Sequence, residues 1–381
     1  MRILRVAVAL LAGLSAAAGS LAQPLPVTIG MTAPLTGSDA AYGQGLRDGA
    51  QLAVARANAA GGVAGRPLEL LALDDGGDPQ RAAANARQLL QRGAVALTGV
   101  QGARATDAVA GVLAPQGAEA VVALVAPATG AAVLRDPPRP GVFHLRASVA
   151  DEASAAVLHL DTLGLTRYAL LAQADALGDS GRDGMMFELT RIAIRPVASE
   201  RLAAGAAAAD VQRLVAKLCA SEPEALILAV DAGVASTALA AARAQRCARH
   251  LLVFSETGAA LVARPPGATG PHPLAGLLVT QVVPHPNQLQ HPLVAEYQRA
   301  RTAQGAAPGS HASLEAYIAT RVIQEALRVC GREAGRACLL QSLVSRGFEL
   351  PGLKVQFGSA QRLLRPFVEI TMLDGEGRFR H

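Results

Sequence analysis

Apolar residues recur along the chain in two alternating rhythms. Short runs rich in Val, Ile and Leu occupy residues 27–32, 68–73, 95–99 and 121–125, and stretches with helical spacing stand between them. Within 45–59, Leu46, Ala50, Leu52, Ala53 and Ala57 share one face; 79–91 opens with Pro in its first turn, and 106–114 continues the series. Beyond a proline-rich stretch at 136–140, a run at 142–146 leads into a second series. Its strands are expected at 168–172, 192–198, 225–230 and 251–254, and the Pro/Gly-rich stretch 264–273 closes it. Strands that alternate with helices in this way predict parallel sheets covered on both faces. The remaining run at 276–283 and the helix at 313–329 leave no room for a third lobe and are expected to rejoin the first. The expectation is an α/β chain of two doubly wound parallel-sheet lobes joined by several crossovers. One lobe is read as 23–143 plus 276–360 and the other as 144–275 plus 361–381. Ligands of such sheets bind at the carboxyl ends of the strands, which would face a cleft between the lobes.

The first 22 residues break this pattern. Arg2 and Arg5 precede an apolar stretch, and small residues Ser20 and Ala22 stand before Gln23, as in a cleaved secretory signal. The stretch is short of the roughly 20 apolar residues a membrane anchor needs. A soluble exported protein is expected, in the periplasm of a two-membrane cell.

Composition narrows the function. The 381 residues are 51% apolar and 17% charged, with 3% aromatics and no Trp, which excludes disorder and fibrous repeats. The net charge of +5 includes Arg2 and Arg5, so the chain after the signal is nearly neutral. Its arginines are scattered, without the basic stripe and interleaved aromatics of a nucleic-acid surface. Export makes the four cysteines candidates for disulfides. Cys219 and Cys247 each end a predicted helix in successive units, and Cys330 and Cys338 bracket a polar turn; three connectivities and free thiols remain open. Neither pair has the short spacing or nearby His of a zinc site, and neither a metal nor a cofactor is expected.

Several motifs weaken on inspection. Gly43-Gln44-Gly45 followed by Gly49 has one residue too many for a dinucleotide loop, and the 61–66 glycines lack a phosphate loop's Lys-Ser/Thr. Gly178-Asp179-Ser180-Gly181 evokes a serine protease, but Arg182 follows and no His partner motif exists. His285 and His291, each before a Pro, read as solvated loop residues.

Other blocks carry a resemblance. Ile29-Gly30, Pro34-x-Thr36-Gly37, Tyr42-Gly43, the 60–66 turn and Asp74-Asp75-x-x-Asp78-Pro79 come first. Thr129-Gly130, Leu134-Arg135, Phe143-x-Leu145-Arg146-Ala147-Ser148 with Asp151-Glu152, the 279–284 block and Ser313-Leu314-Glu315-x-Tyr317 follow in order. Together they resemble the type I periplasmic solute-binding proteins of the leucine/isoleucine/valine-binding group, across nearly the whole chain after the signal.

The resemblance implies a receptor, not an enzyme, that closes its lobes on a small solute and hands it to an ABC-type permease. A monomer is expected. In amino-acid-binding members a ligand carboxylate is held by hydroxyl and backbone N–H groups at two strand ends. The matching positions are Gly102, Ala103 and Arg104, and Ala128, Thr129 and Gly130. Thr129 keeps a hydroxyl, whereas the first loop has Ala103, Arg104 and Ala105 where relatives have Ser or Thr; Arg104 either supplies charge or points to solvent. Glu256 matches the acidic partner of a ligand ammonium, with a helix cap or surface carboxylate as its plainer reading. Tyr42 would cover the solute, Asp179 falls where many relatives carry an aromatic wall, and Asp231 is a further cleft candidate. Two rivals stand beside import: a sensor of the same shape, and a secreted hydrolase, against which Ser180 without a His partner argues.

Overall fold

The computed structural model describes residues 25–114, 121–261, 272–358 and 366–380. The signal read at 1–22 and most of the 264–273 stretch lie outside the described residues. In the first lobe, β1 (Val27–Ala33), β2 (Leu68–Asp74), β3 (Ala96–Thr98), β4 (Ala123–Val125) and β5 (Val142–Phe143) form a parallel sheet in the order β2-β1-β3-β4-β5. Every residue of β1 is buried, as a strand covered on both faces requires. On one face lie α1 (Ala40–Ala59), α9 (Pro292–Gln304), α10 (His311–Cys330) and α11 (Arg336–Ser345), with Leu52, Tyr297, Tyr317 and Leu339 in the core. On the other lie α2 (Pro79–Gln91) and α3 (Ala103–Leu113), contributing Ala86, Leu89 and Val109. A hairpin of β11 (Phe348–Leu350) and β12 (Leu353–Val355) packs on the first of these cores.

Local chemistry fixes these elements. Asp78 caps α2 by accepting from Arg81 N, with Pro79 in the first turn where no N–H is needed. Asp74 accepts from Leu35 N at 2.8 Å and from the Thr36 hydroxyl at 2.7 Å, stapling the loop after β1 to the end of β2. The Pro34-x-Thr36 and Asp74-Asp75 blocks are therefore structural. Gly49 lets α1 and α10 touch: a Cβ there would stand 1.8 Å from Ser313 O. The glycines that evoked a dinucleotide loop lie inside α1 and serve helix packing.

The second sheet has the order β14-β13-β10-β9-β8-β6-β7. Its parallel strands are β6 (Tyr168–Gln173), β7 (Ala198–Leu202), β8 (Ala225–Ala229), β9 (His250–Val253) and β10 (Leu277–Gln281). β13 (Glu369–Leu373) and β14 (Phe379–Arg380) close it antiparallel. α4 (Val149–Thr162) and α5 (Ala176–Arg191) cover one face, and α6 (Ala208–Cys219) and α7 (Ala232–Ala244) the other. α8 (Ser255–Leu261) follows β9.

Three expectations change. Residues 192–197 are not strand: Ile194 N bonds back to Leu189 O and Ala193 is left-handed, so Ile192 and Ile194 close α5 and pack on its core. The run at 142–146 opens no second series, because β5 pairs with β4 in the first sheet. Residues 276–281 do not rejoin the first lobe, since β10 is fully buried between β9 and β13 of the second sheet. The chain therefore crosses between sheets after β5, after β10 and before β13. Among the three possible connectivities, the disulfides are Cys219–Cys247 and Cys330–Cys338.

Candidate functional site

Two first-lobe loops are zipped together at the carboxyl ends of β3 and β4. Gly102 N donates to Ala128 O and Ala128 N to Val100 O, which sets the head of α3 beside the 128–130 turn. Gly102 adopts φ +78°, a conformation open to glycine, and Ala126 is held left-handed at φ +53°. Thr129 is buried, and the Arg135 guanidinium holds its carbonyl at 3.0 Å. The first N–H groups of α3, which have no partner within the helix, and the N–H of Gly130 make this a candidate anion seat.

Glu256, in the first turn of α8, reaches that seat from the second lobe. Its Oε2 accepts from Gly130 N at 3.4 Å, and the Thr129 hydroxyl bonds to the same carboxylate. A Cβ on Gly102 would stand 3.9 Å from Oε1. Burial pushes the Glu256 carboxyl up to about 7, against the lowering pull of the Arg146 charge and the Gly130 N–H. A second bond between the lobes runs from Ala132 N to the Ser180 hydroxyl at 2.9 Å.

Behind Glu256 lies a buried charged cluster at the first crossover. Arg146 sits 3.5 Å from Glu315 Oε1 and donates to the Ser255 hydroxyl at 2.8 Å; its Nη1 has no hydrogen-bond partner among the described residues. Ser255 in turn donates to Glu152 Oε1 at 3.0 Å, and Thr280 also donates to Glu152. The Tyr42 hydroxyl donates to Glu315 Oε2 at 3.2 Å. Arg146 thus joins α10 of one lobe to α4 and α8 of the other, and three neighbouring carboxylates hold it charged.

The candidates read from the sequence divide. Gly102, Ala128, Thr129, Gly130 and Glu256 come together. Tyr42 stands beside them but is buried as a wall, holding Glu315. Ala103 opens α3 at the seat, while Arg104, one residue on, is exposed and forms no ion pair among the described residues. Asp231 caps α7 through Val234 N, is held by Gln173 Nε2 at 2.9 Å, and its charge acts on Asp39 of the first lobe. Asp179 is not brought to the site: it pairs with Arg201 at 2.7 Å, on the edge strand β7. Ser180 is no nucleophile here, since its hydroxyl is spent on Ala176 O and Ala132 N.

The sequence matches the family described as periplasmic binding protein over residues 26–368. The chain belongs to the periplasmic binding protein family. A 67-residue stretch is 42% identical to the Leu/Ile/Val-binding protein BraC3 of Rhizobium johnstonii and covers 18% of that relative and 18% of this chain. A substrate-binding periplasmic protein from Ralstonia solanacearum superposes with a TM-score of 0.78 at 28% identity, over 93% of this chain and 99% of its own. A possible leucine/isoleucine/valine-binding protein from Rhodopirellula baltica gives 0.81 at 25% identity, over 94% and 97%. The resemblance read from the sequence blocks and the two-lobed α/β class are both borne out. The proteins matched are binding proteins rather than enzymes.

In this periplasmic binding protein, sequence reasoning missed Arg146, Glu152, Ser255 and Glu315 as a site. Arg146, Glu152 and Glu315 stood inside the family blocks, but only as motif letters. A signal was present: ionic residues amid apolar neighbours at a crossover need buried partners.

Proposed function

We propose that the protein captures an amino acid or a related small carboxylate or amide between its lobes and passes it to an ABC-type permease. The reading includes export to the periplasm and action as a monomer. The observation that carries it is the meeting of opposite chemistries at one point. The first lobe offers N–H groups and a hydroxyl at Gly130 and Thr129, and the second offers the Glu256 carboxylate. A zwitterion answers both, its carboxylate on the seat and its ammonium on Glu256. Closure is then favoured because the solute touches both lobes only when they are together. Charge-assisted hydrogen bonds in such a desolvated site supply the roughly 8 kcal/mol that micromolar capture needs. The names of the relatives support an amino acid, and permease delivery follows from the same family resemblance. No helix among the described residues is long and apolar enough to cross a membrane.

A thermal-shift screen against amino acids, amides and small carboxylates tests this. A compound that binds only the folded state raises the melting temperature, by about 2.7 kcal/mol of stabilisation at a hundredfold excess over Kd. A rise with at least one amino acid or close analogue is expected. No shift with any compound would overturn the proposal, as would recovery of a bound compound chemically changed.

A further inference from the structure

The three crossovers between the sheets converge on one cavity. Leu145 and Arg146 of the first, Val283 and His291 of the second and Phe367 of the third line a space of about 60 Å³, with Glu315 and Ile318 of α10 and Leu353 of β12 on the first-lobe side. Most of the lining is apolar. Yet three of its residues carry a buried polar atom with no hydrogen-bond partner among the described residues: Arg146 Nη1, Glu315 Oε1 and His291 Nδ1. Arg146 and Glu315 are both more than nine-tenths buried, and Glu315 Oε1 stands 3.5 Å from Arg146 Nε. Desolvated polar atoms are costly to leave unmatched.

We propose that this hinge cavity is a second binding site, taking an uncharged molecule of two or three carbons that carries a hydroxyl or a primary amide, and that its occupation favours the lobes together. The chemistry sets the class. Arg146 offers N–H groups beside the acceptor on Glu315, and a hydroxyl or amide both accepts and donates, so one group answers both. A carboxylate has no proton to give, and Arg146 already stands among Glu315, Glu152 and Glu256. Burial pushes the His291 ring below its ordinary value, so it is neutral at pH 7 and adds a further donor or acceptor. The volume sets the length: about 60 Å³ holds roughly two waters, or one molecule of three or four non-hydrogen atoms. Its carbons would meet Leu145, Val283, Ile318 and Phe367.

The site lies where lobe motion is made. Any change in the angle between the lobes must turn the backbone of the crossovers, which reshapes a cavity that all three wall. An occupant fitted to the present shape favours the present arrangement, in which Ala132 N of the first lobe donates to the Ser180 hydroxyl of the second. This holds whatever solute the cleft takes, and is independent of the function proposed above.

Carbon-13 methyl NMR of the full chain, titrated with ethanol, acetamide and acetate, tests the assignment. Ethanol and acetamide should shift the methyl signals of Leu145, Val283 and Ile318 along a saturating curve, while the exposed Leu158 stays still. Half-saturation is expected near millimolar concentration, about the best that so few atoms allow. Acetate, equal in size but charged, should not saturate. Val283→Leu, which takes up part of the space, should weaken acetamide at least about threefold. At ten times the half-saturating acetamide concentration, hydrogen exchange of the Ala132 amide should slow severalfold, at most about tenfold, against the same concentration of acetate. Shifts that grow without saturating, acetate binding as well as acetamide, or an unchanged titration of Val283→Leu each overturn the site. An Ala132 amide that exchanges at an unaltered rate overturns its coupling to the lobes.

Discussion

The raised Glu256 carboxyl predicts a pH-dependent cost of folding that can be measured without any ligand. Its ordinary value is 4.5 and in the folded protein it stands at about 7, chiefly because the lobes bury it. Each pH unit of such a shift is worth about 1.4 kcal/mol, so keeping the group ionised in the native state costs up to about 3 kcal/mol above pH 7. Between the two values the native state binds the proton and the unfolded chain does not. This contribution to stability is therefore complete only below pH 4.5, is lost progressively as the pH rises from there through 7, and is level beyond. Glu256→Gln keeps an oxygen to accept from Gly130 N but has no charge to lose. Urea unfolding of both proteins at pH 5, 6, 7 and 8 should show the variant's stability relative to the native protein growing by about 2.5 kcal/mol across that range. Other titrating groups cancel in the difference. A gap that does not change with pH would mean the carboxyl titrates as in water, and would refute the account of a desolvated group held between the lobes.

Further predictions follow from the buried charges and the cross-links. Arg146→Met should cost about 3–5 kcal/mol by urea unfolding, because it strands Glu315 and Glu152 without their cation, and adding Glu315→Gln should restore part of the loss; a cost under about 1 kcal/mol would contradict the cluster. Glu296 is held below its ordinary range by hydrogen bonds from Arg321 at 2.9 Å and Tyr317 at 2.8 Å. Its contribution is complete above the unfolded value and is lost as pH falls through the lower folded one, so Glu296→Gln should flatten the acid limb of a stability profile. Replacing Cys219 and Cys247 by Ser, a pair 28 residues apart, should cost about 3–4 kcal/mol by chain entropy, more than the same change at Cys330 and Cys338, 8 residues apart. Reversal of that order in calorimetric melts would point to strain or enthalpy rather than loop closure.

Much of the fold was legible because its signals are local. The buried strand 27–33 and the half-buried strand 68–74 read as apolar runs, and the cap Asp78-Pro79 marked a helix start. What misled was local likeness with a different neighbour. Ile192 and Ile194 have the composition of a strand, yet the left-handed Ala193 turns them back onto α5. Residues 277–281 form a buried strand as expected, but nothing inside a five-residue apolar run says which sheet will pair with it.

The site divides along the same line. The Thr129 hydroxyl and the turn at Gly130 stand out next to a strand end, and Glu256 follows one, so each was visible alone. Their meeting was not, because it joins loops 126 residues apart on different sheets. Arg146 is the sharper case. One guanidinium must serve Glu315 from one lobe and the Ser255–Glu152 pair from the other, and it lies on a segment that crosses between sheets. A cation buried at a crossover resists being pulled from either side, since opening the lobes would expose one carboxylate partner and orphan the other. The cluster therefore ties the charge state of the proposed solute seat to the relative position of the lobes. Loss of Arg146 should consequently raise the Glu256 carboxyl further, as well as weakening the fold, and following the carbon-13 shift of that carboxyl through a pH titration of Arg146→Met would separate the two effects.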